Sequence, residues 1–419
     1  MHKLILFLVL PLLLSACNQN QPTADPPVNK TELAREALTA QLDSIQQNGK
    51  IPGFAVGIAN ADGTLYAKGF GYADIATKKP YTEHTVQPIA SVSKTLIGIA
   101  LMKAREMGKL KLDDPIQQYL PFQVGNPNHP DQVITIWHLA THTSGINDTD
   151  EYMNRSWIIR PGQDLTGIST DYPEQRLNPT EADIPLEQYL KGYLEVGGDY
   201  YLPENYTEFA AGERYNYSNI GATVAALVIE KATGQAYDAF TREHILAPLK
   251  MNDTGWALEE IDPSQHATLY RNDDSVLPLY SAITYPDGML LSSSNDMAKY
   301  LTELIKGFSG TGTLLSQESY EELFTVQLDE SHQEDRNPDN PYDEDYDPAI
   351  FMGHSALGYV GHSGGDAGVA TWMFINKKTK TGRYIVINTD MGNDERAREL
   401  EYYAAWDALE AFLDGLDDE

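Results

Sequence analysis

Strand-like segments at the two ends of the chain constrain its fold more than any other feature. Residues 53–74 hold two strand-like runs joined by an Asp-Gly turn at 61–63, which is a strong hairpin signal. Residues 368–376 and 383–390 are also strand-like and flank a second turn. The middle of the chain consists mostly of helical patterns and long loops. This arrangement predicts one sheet built from both chain ends, with a helical lobe inserted between them.

The folded body therefore divides into two predicted lobes. Residues 31–90 and 285–419 form an α/β lobe, and residues 91–284 form a mainly helical lobe. Two segments fit no regular element: 147–210 is long, polar and rich in aromatic residues, and 329–348 is strongly acidic with three prolines. Long loops in compact domains are often lids. We interpret 147–210 as lid-like, and 329–348 as disordered or a solvated acidic face rather than a lid or binding loop.

The N-terminus is typical of an exported protein. Residues 1–16 combine an early lysine with an apolar run too short to span a membrane, which indicates a cleaved signal peptide. Cys17 ends the sequence L-S-A-C, which resembles the lipobox of bacterial lipoproteins. We predict that Cys17 is lipidated; the alternative is a chance thiol beside an ordinary signal peptide. Residues 17–30 are interpreted as a flexible tether. Asn18, in place of an aspartate, favours the outer membrane, with the protein facing the periplasm.

Charge and cysteine content exclude several classes of partner. A net charge of −31 repels the phosphates of nucleic acids and anionic membrane surfaces, so membrane contact is expected only through the lipid. Cys17 is the only cysteine, which excludes an intramolecular disulfide. His138 and His142 stand four residues apart but lack the glutamate of the zinc motif H-E-x-x-H. We expect neither a metal nor a cofactor.

Residues 361–365 read G-H-S-G-G and match G-x-S-x-G, the strand-to-helix turn that carries the nucleophile of α/β-hydrolases. That turn needs a helix after the serine and a histidine further downstream. The residues after Ser363 are strand-like, and His362 is the last histidine of the chain. Ser363 is therefore not predicted to be a nucleophile.

Ser91 in S-V-S-K is a better candidate, because it lies where a loop enters a buried helix. The free N–H groups of the helix N-terminus would lie beside its hydroxyl. Lys94, three residues later, lies on the same face and can act as a base if burial lowers its pKa. The motif alone is weak, since a helix cap followed by a surface lysine has the same pattern.

Two further motifs strengthen this interpretation. Tyr217-Ser218-Asn219 and G-H-S-G-G follow S-x-x-K in an order that resembles the penicillin-recognising serine hydrolases. These include the class C β-lactamases, the serine D-alanyl-D-alanine carboxypeptidases and the family VIII esterases. The resemblance spans about residues 32–410. It implies a β-lactamase/transpeptidase-like fold: an α/β structure of the α+β type, with a mainly antiparallel sheet, flanking helices and an inserted all-helical lobe.

The resemblance also implies roles for the site residues. Ser91 would attack a carbonyl carbon and form an acyl-enzyme, while the N–H groups of Ser91 and Gly365 bind the oxyanion. Lys94 and Tyr217 would share the proton transfer, and either is a plausible base. Asn219 would hold Lys94 or the substrate.

The third motif departs from the family pattern. It is usually K-T-G, but His362-Ser363-Gly364 occupies its place, so His362, Gly364 and Gly365 are predicted to bind substrate. A literal K-T-G at 380–382 lies between the last two strands and is predicted to form a hairpin turn.

A histidine carries less positive charge than a lysine at pH 7. It therefore favours ester or amide substrates over the carboxylate of a peptidoglycan stem peptide. The alternatives are a D-Ala-D-Ala carboxypeptidase or β-lactamase, and a non-catalytic lipoprotein that binds cell-wall fragments.

Overall fold

The computed structural model describes residues 30–168, 170, 175–271, 273–332, 347–391 and 396–417. The helices are α1 Lys30–Asn48, α2 Lys94–Glu106, α3 Ile136–Ala140, α4 Asp150–Arg155, α5 Leu186–Leu194, α6 Asn219–Thr233, α7 Tyr237–Thr241, α8 Ser294–Phe308, α9 Gln317–Phe324 and α10 Arg396–Asp417. The strands are β1 Gly53–Asn60, β2 Gly63–Asp74, β3 Lys79–Pro80, β4 Val86–Pro88, β5 Trp157–Ile159, β6 Leu177–Asn178, β7 Tyr280–Ala282, β8 Leu291–Ser293, β9 Asp347–Pro348, β10 Gly353–His354, β11 Tyr359–Asp366, β12 Val369–Asn376 and β13 Thr381–Ile387.

Eight strands form one sheet in the order β3-β2-β1-β13-β12-β11-β10-β9, and every neighbouring pair is antiparallel. Strand β1 lies between β2 and β13, so that Val56 is opposite Ile385. The tip of the β1–β2 hairpin is closed by Asn60, whose side-chain oxygen accepts from the N–H groups of Asp62 and Gly63. The predicted sheet built from both chain ends is confirmed.

Helices cover both faces of this sheet. Side chains alternate along β1, so Phe54, Val56 and Ile58 join one apolar cluster with α1 and α10. On the opposite face α8 lies so close that a Cβ added to Gly57 would be 3.3 Å from the Cβ of Ala298. The sheet is thus covered on both faces, and β11 and β12 are the strands that contact the turn before α2.

Helix α2 is the central element of the inserted lobe. It is buried almost all round, as its sequence predicts, and packs against α6, α7 and α9. A Cβ on Gly98 would lie 3.0 Å from the carbonyl oxygen of Ile350, which shows how tightly the helix is enclosed. A single 3-10 turn, Ala90–Ser93, leads into α2 and places Ser91 at its N-terminus.

The inserted lobe is mainly helical but not all-helical, which corrects that part of the predicted fold. A three-stranded sheet in the order β6-β5-β7 lies within it. Trp157 of β5 pairs with Leu177 of β6 in parallel and with Ala282 of β7 in antiparallel register. Strands of two or three residues are too short to show the alternation that reveals a strand in sequence.

Segment 147–210 contains α4, β5, β6 and α5 rather than an irregular loop. The tyrosines Tyr189 and Tyr193 of α5 are fully buried. Other predictions lie outside the described residues: the signal segment 1–16, the tether with Cys17 and the central part of the acidic segment 329–348. None of the helices in the described ranges has the length and apolar character needed to cross a membrane.

Candidate active site

Ser91 and Lys94 meet at the start of α2. Lys94 is fully buried, and its Nζ donates to the Ser91 Oγ at 3.0 Å and to the carbonyl oxygen of Asp287 at 2.6 Å. The turn before the helix is strained, because Ala90 has a φ of 47°. The two side chains predicted from S-x-x-K are therefore in direct contact. The interpretation of Lys94 as a surface lysine is wrong.

Tyr217 lies over the ammonium group of Lys94, with 5.1 Å between the Nζ and the ring centroid. Its ring stacks on His142 at 4.6 Å and lies 6.1 Å from the His362 ring. Burial, together with nearby Lys94 and His362, lowers the pKa of His142 well below its ordinary value. His142 is thus a neutral ring that accepts from the Ser218 N–H at 3.2 Å and supports Tyr217 from behind.

Asn219 is the first residue of α6 and is partly buried. Its N–H donates to Asp148 at 2.7 Å, and Asp148 also accepts from Ser218 and from the N–H of Ile220. Asp148 thereby fixes the N-terminus of α6 and with it the Tyr217–Asn219 motif. That the Asn219 amide holds Lys94 or substrate stays a prediction.

Strand β11 forms the opposite wall of the site. A Cβ on Gly364 would lie 2.8 Å from the Ser91 N and 3.0 Å from the Ile89 carbonyl oxygen, so only glycine lets the strand pass this close. Nothing lies within 4 Å of a Cβ on Gly365, which leaves open space beside its backbone. His362 is buried, and its Nδ1 lies within hydrogen-bond distance of the Ser363 carbonyl oxygen.

The two misleading motifs have structural explanations. Ser363 lies within β11 opposite Trp372, so no strand-to-helix turn displays it as a nucleophile. The literal K-T-G begins at Lys380, which has a φ of 58° in the turn between β12 and β13 and lies over Phe308. His138 forms a capping box with Thr135 at the N-terminus of α3. Among the described residues no group of three potential metal-binding side chains is present.

Sequence reasoning missed three acids beside the site, of which Asp287 is buried and Asp148 and Asp366 are half-buried. Asp148 and Asp366 each have a pKa raised by burial, which their hydrogen bonds partly oppose. Asp366 follows Gly365 and accepts from Gln175 at 2.6 Å and from Trp157 at 3.4 Å. Burial also raises the pKa of Asp287 to about 7, while Lys94 opposes the shift. An aspartate in P-D-G looks like an ordinary turn residue, so no local signal pointed to Asp287.

Comparison with known proteins shows the family to which the chain belongs. The family model described as Beta-lactamase matches residues 38–406. The chain belongs to the beta-lactamase family. The resemblance inferred from the three motifs and the predicted fold are both confirmed.

Individual relatives are distant. Esterase EstB of Burkholderia gladioli is 28% identical over 56% of this chain and 54% of its own length. Protein flp of Staphylococcus aureus strain MW2 is 26% identical over 62% of this chain and 48% of its own length. The chain thus spans about half the length of these curated relatives.

Solved structures show the same fold. The octameric penicillin-binding protein homologue from Pyrococcus abyssi is 25% identical, with a TM-score of 0.63 over 90% of this chain and 77% of that one. The D-amino acid amidase from Ochrobactrum anthropi SV3 is 19% identical, with a TM-score of 0.65 over 90% of this chain and 99% of that one.

Proposed function

We propose that this protein is a serine hydrolase that cleaves an ester or amide bond through an acyl-enzyme on Ser91. The observation that carries the proposal is the 3.0 Å contact between the Lys94 Nζ and the Ser91 Oγ inside a buried site. A serine hydroxyl is a weak nucleophile until an adjacent base takes its proton. No surface lysine could do this, since it would remain protonated and hydrated.

The reaction follows from the positions of these groups. The Ser91 oxygen attacks the carbonyl carbon while its proton passes to Lys94. Tyr217, whose ring centroid lies 5.1 Å from the Lys94 Nζ, helps to pass the proton to the leaving group. The N–H groups of Ser91 and Gly365 stabilise the oxyanion, which typically contributes about 2.7–4 kcal/mol per donor. The protonated alcohol or amine departs. Water then attacks the acyl-enzyme, loses its proton to the same pair and releases the acid and Ser91.

The substrate is proposed to be a neutral ester or amide. His362 stands on β11 where the family usually has a lysine, so the fixed positive charge of a lysine is missing there. A histidine hydrogen bond suits a carbonyl or hydroxyl better than it suits a free carboxylate. The esterase and the amidase among the relatives support this substrate class. A peptidoglycan stem peptide is the alternative, and the experiment below separates the two.

We further propose that the protein is a lipoprotein of the outer membrane, attached through Cys17. The lipobox-like L-S-A-C and the proline-rich tether after it support this placement. Intact mass spectrometry of the membrane-extracted protein tests it. A mature N-terminus at an acylated Cys17 is expected, and a Cys17→Ser variant should accumulate as an unprocessed precursor. An unmodified Cys17 thiol in the mature protein would contradict it.

The nucleophile is tested by intact mass spectrometry of the body from about residue 30. Wild type, Ser91→Ala and Ser363→Ala are exposed briefly to a fluorophosphonate and, separately, to benzylpenicillin. We expect phosphonate labelling and butyrate-ester hydrolysis in wild type and Ser363→Ala, and neither in Ser91→Ala. A penicilloyl adduct on Ser91 would move the substrate toward stem peptides. No labelling of wild type would support a non-catalytic binding protein instead.

A further inference from the structure

Asp287 forms hydrogen bonds in two directions. Its backbone carbonyl contacts Lys94, and its side chain contacts the inserted lobe. It ends the 3-10 turn Tyr285–Asp287, and its carbonyl oxygen accepts the 2.6 Å hydrogen bond from Lys94. Its carboxylate is buried and accepts from the hydroxyl groups of Tyr152 at 3.2 Å and Thr223 at 3.1 Å. Helices α4 and α6 therefore fix the side chain whose backbone positions Lys94.

The charges around this carboxylate are unbalanced. Lys94 of α2 is a cation that interacts with it, and the half-buried acids Asp148 and Asp366 interact with it as well. The titratable or hydroxyl-bearing groups that face it from the surrounding elements are Lys94, Asp148, Tyr152, Tyr189, Thr223, Thr284 and Asp366. One lysine thus interacts with three carboxyl groups. In such surroundings the charge on one group strongly affects its neighbours.

We propose that Asp287 is a positioning residue that orients Lys94 and controls through its own charge how readily Lys94 takes the proton of Ser91. This inference rests on the proposed function. An ionised Asp287 favours the ammonium form of Lys94, which cannot accept a proton. A neutral Asp287 keeps its hydrogen bonds to Tyr152 and Thr223 and leaves the amine free to act as the base. Burial, which raises the pKa of Asp287 to about 7, keeps this exchange within the neutral range.

The pH dependence of fluorophosphonate labelling at Ser91 tests this, because labelling needs no knowledge of the natural substrate. Asp287→Asn keeps an acceptor oxygen for Tyr152 and Thr223 but removes the charge. We expect the acid limb of its pH–rate profile to move to lower pH by about one unit, the size of effect that an opposite charge at close range typically has. An unmoved limb in this variant, whatever the absolute rate, overturns the inference.

Asp296→Asn is the matched control. Asp296 is equally buried but accepts from Asp253 and Thr254 and pairs with Lys299 at 2.7 Å rather than with Lys94. Its loss should lower stability and leave the acid limb in place. A limb that moves equally in this variant would show a general effect of destabilisation and would overturn the inference.

Tyr152→Phe decides the matter if Asp287→Asn does not fold. It removes one donor to the ionised carboxylate, so the same limb should move in the same direction by less. No movement in Tyr152→Phe would then overturn the inference. If wild type is not labelled at Ser91 at any pH, the proposed function itself is wrong. If wild type is labelled and the variants keep its acid limb, only the inference about Asp287 is wrong.

Discussion

Gly364 is the residue whose replacement tests the architecture of the site most directly. It lies in β11 opposite Thr371 and lets the strand pass beside the turn that carries Ser91. In Gly364→Ala the added Cβ would lie 2.8 Å from the Ser91 N and 2.9 Å from the Cγ2 of Thr371. The methyl group is therefore wedged between two strands and a helix N-terminus, and the backbone must move.

The size of the effect follows from these distances. Ordinary Cβ contacts begin at 3.4 Å, so β11 must retreat from Ser91 by about 0.6 Å. A donor of the oxyanion hole must lie between about 2.7 and 3.1 Å from the oxyanion, which is a range of about 0.4 Å. The retreat carries the Gly365 N–H out of this range. We expect the rate of acylation to fall by on the order of 10²-fold, equivalent to about 2.7 kcal/mol of transition-state stabilisation.

The assay is the kcat and kcat/KM for a butyrate ester, together with the rate of phosphonate labelling and a thermal melt. Gly125→Ala is the control, since nothing lies within 4 Å of its Cβ and it is not a residue of the site. It should lose no more than a few-fold in rate. If Gly364→Ala acylates at the wild-type rate, β11 does not supply the oxyanion donor and the proposed geometry is wrong.

Two further outcomes are expected. His362→Lys should lower the KM for an ester that carries a free carboxylate about 10-fold relative to the KM for a neutral ester. The reason is that a charge-assisted hydrogen bond replaces a neutral one. An unchanged ratio of the two KM values would contradict the role of His362. The contribution of Asp287 to stability should fall as pH rises from about 4 to 7, since folded Asp287 keeps a proton that the unfolded chain has released over that window. In thermal melts at pH 5 and pH 8, Asp287→Asn should show a smaller difference in Tm than wild type, and an equal difference would argue against a raised pKa.

Several features were accessible from the sequence because they depend on neighbours along the chain. The Asp-Gly turn of the β1–β2 hairpin, the all-round apolar character of α2 and the three-residue spacing of Ser91 and Lys94 are local patterns. The order of the three motifs also indicated the family. The strand-like residues after Ser363 also excluded the misleading G-x-S-x-G match without any structure.

Other features depended on residues that are far apart in the sequence. The short strands of the inserted lobe pair Trp157 with Ala282, and no local periodicity marks them. The Lys94 Nζ donates to the carbonyl oxygen of Asp287, which is 193 residues away in the sequence. The side chain of Gln175 donates to Asp366, which is 191 residues away. Whether an aspartate is a solvated turn residue or a buried acid depends on what packs over it, which composition does not reveal.

The sequence by itself therefore determined the longer helices and strands and which side chains are chemically able to act. It identified Ser91, Lys94, Tyr217 and the strand that faces them, because helix and strand patterns and short motifs are set by adjacent residues. Only the tertiary structure decided the environment of these groups: the closeness of β11, the ring of His142 behind Tyr217 and the acids around Lys94. Burial and long-range electrostatics set proton affinity, and both arise only when distant segments pack together.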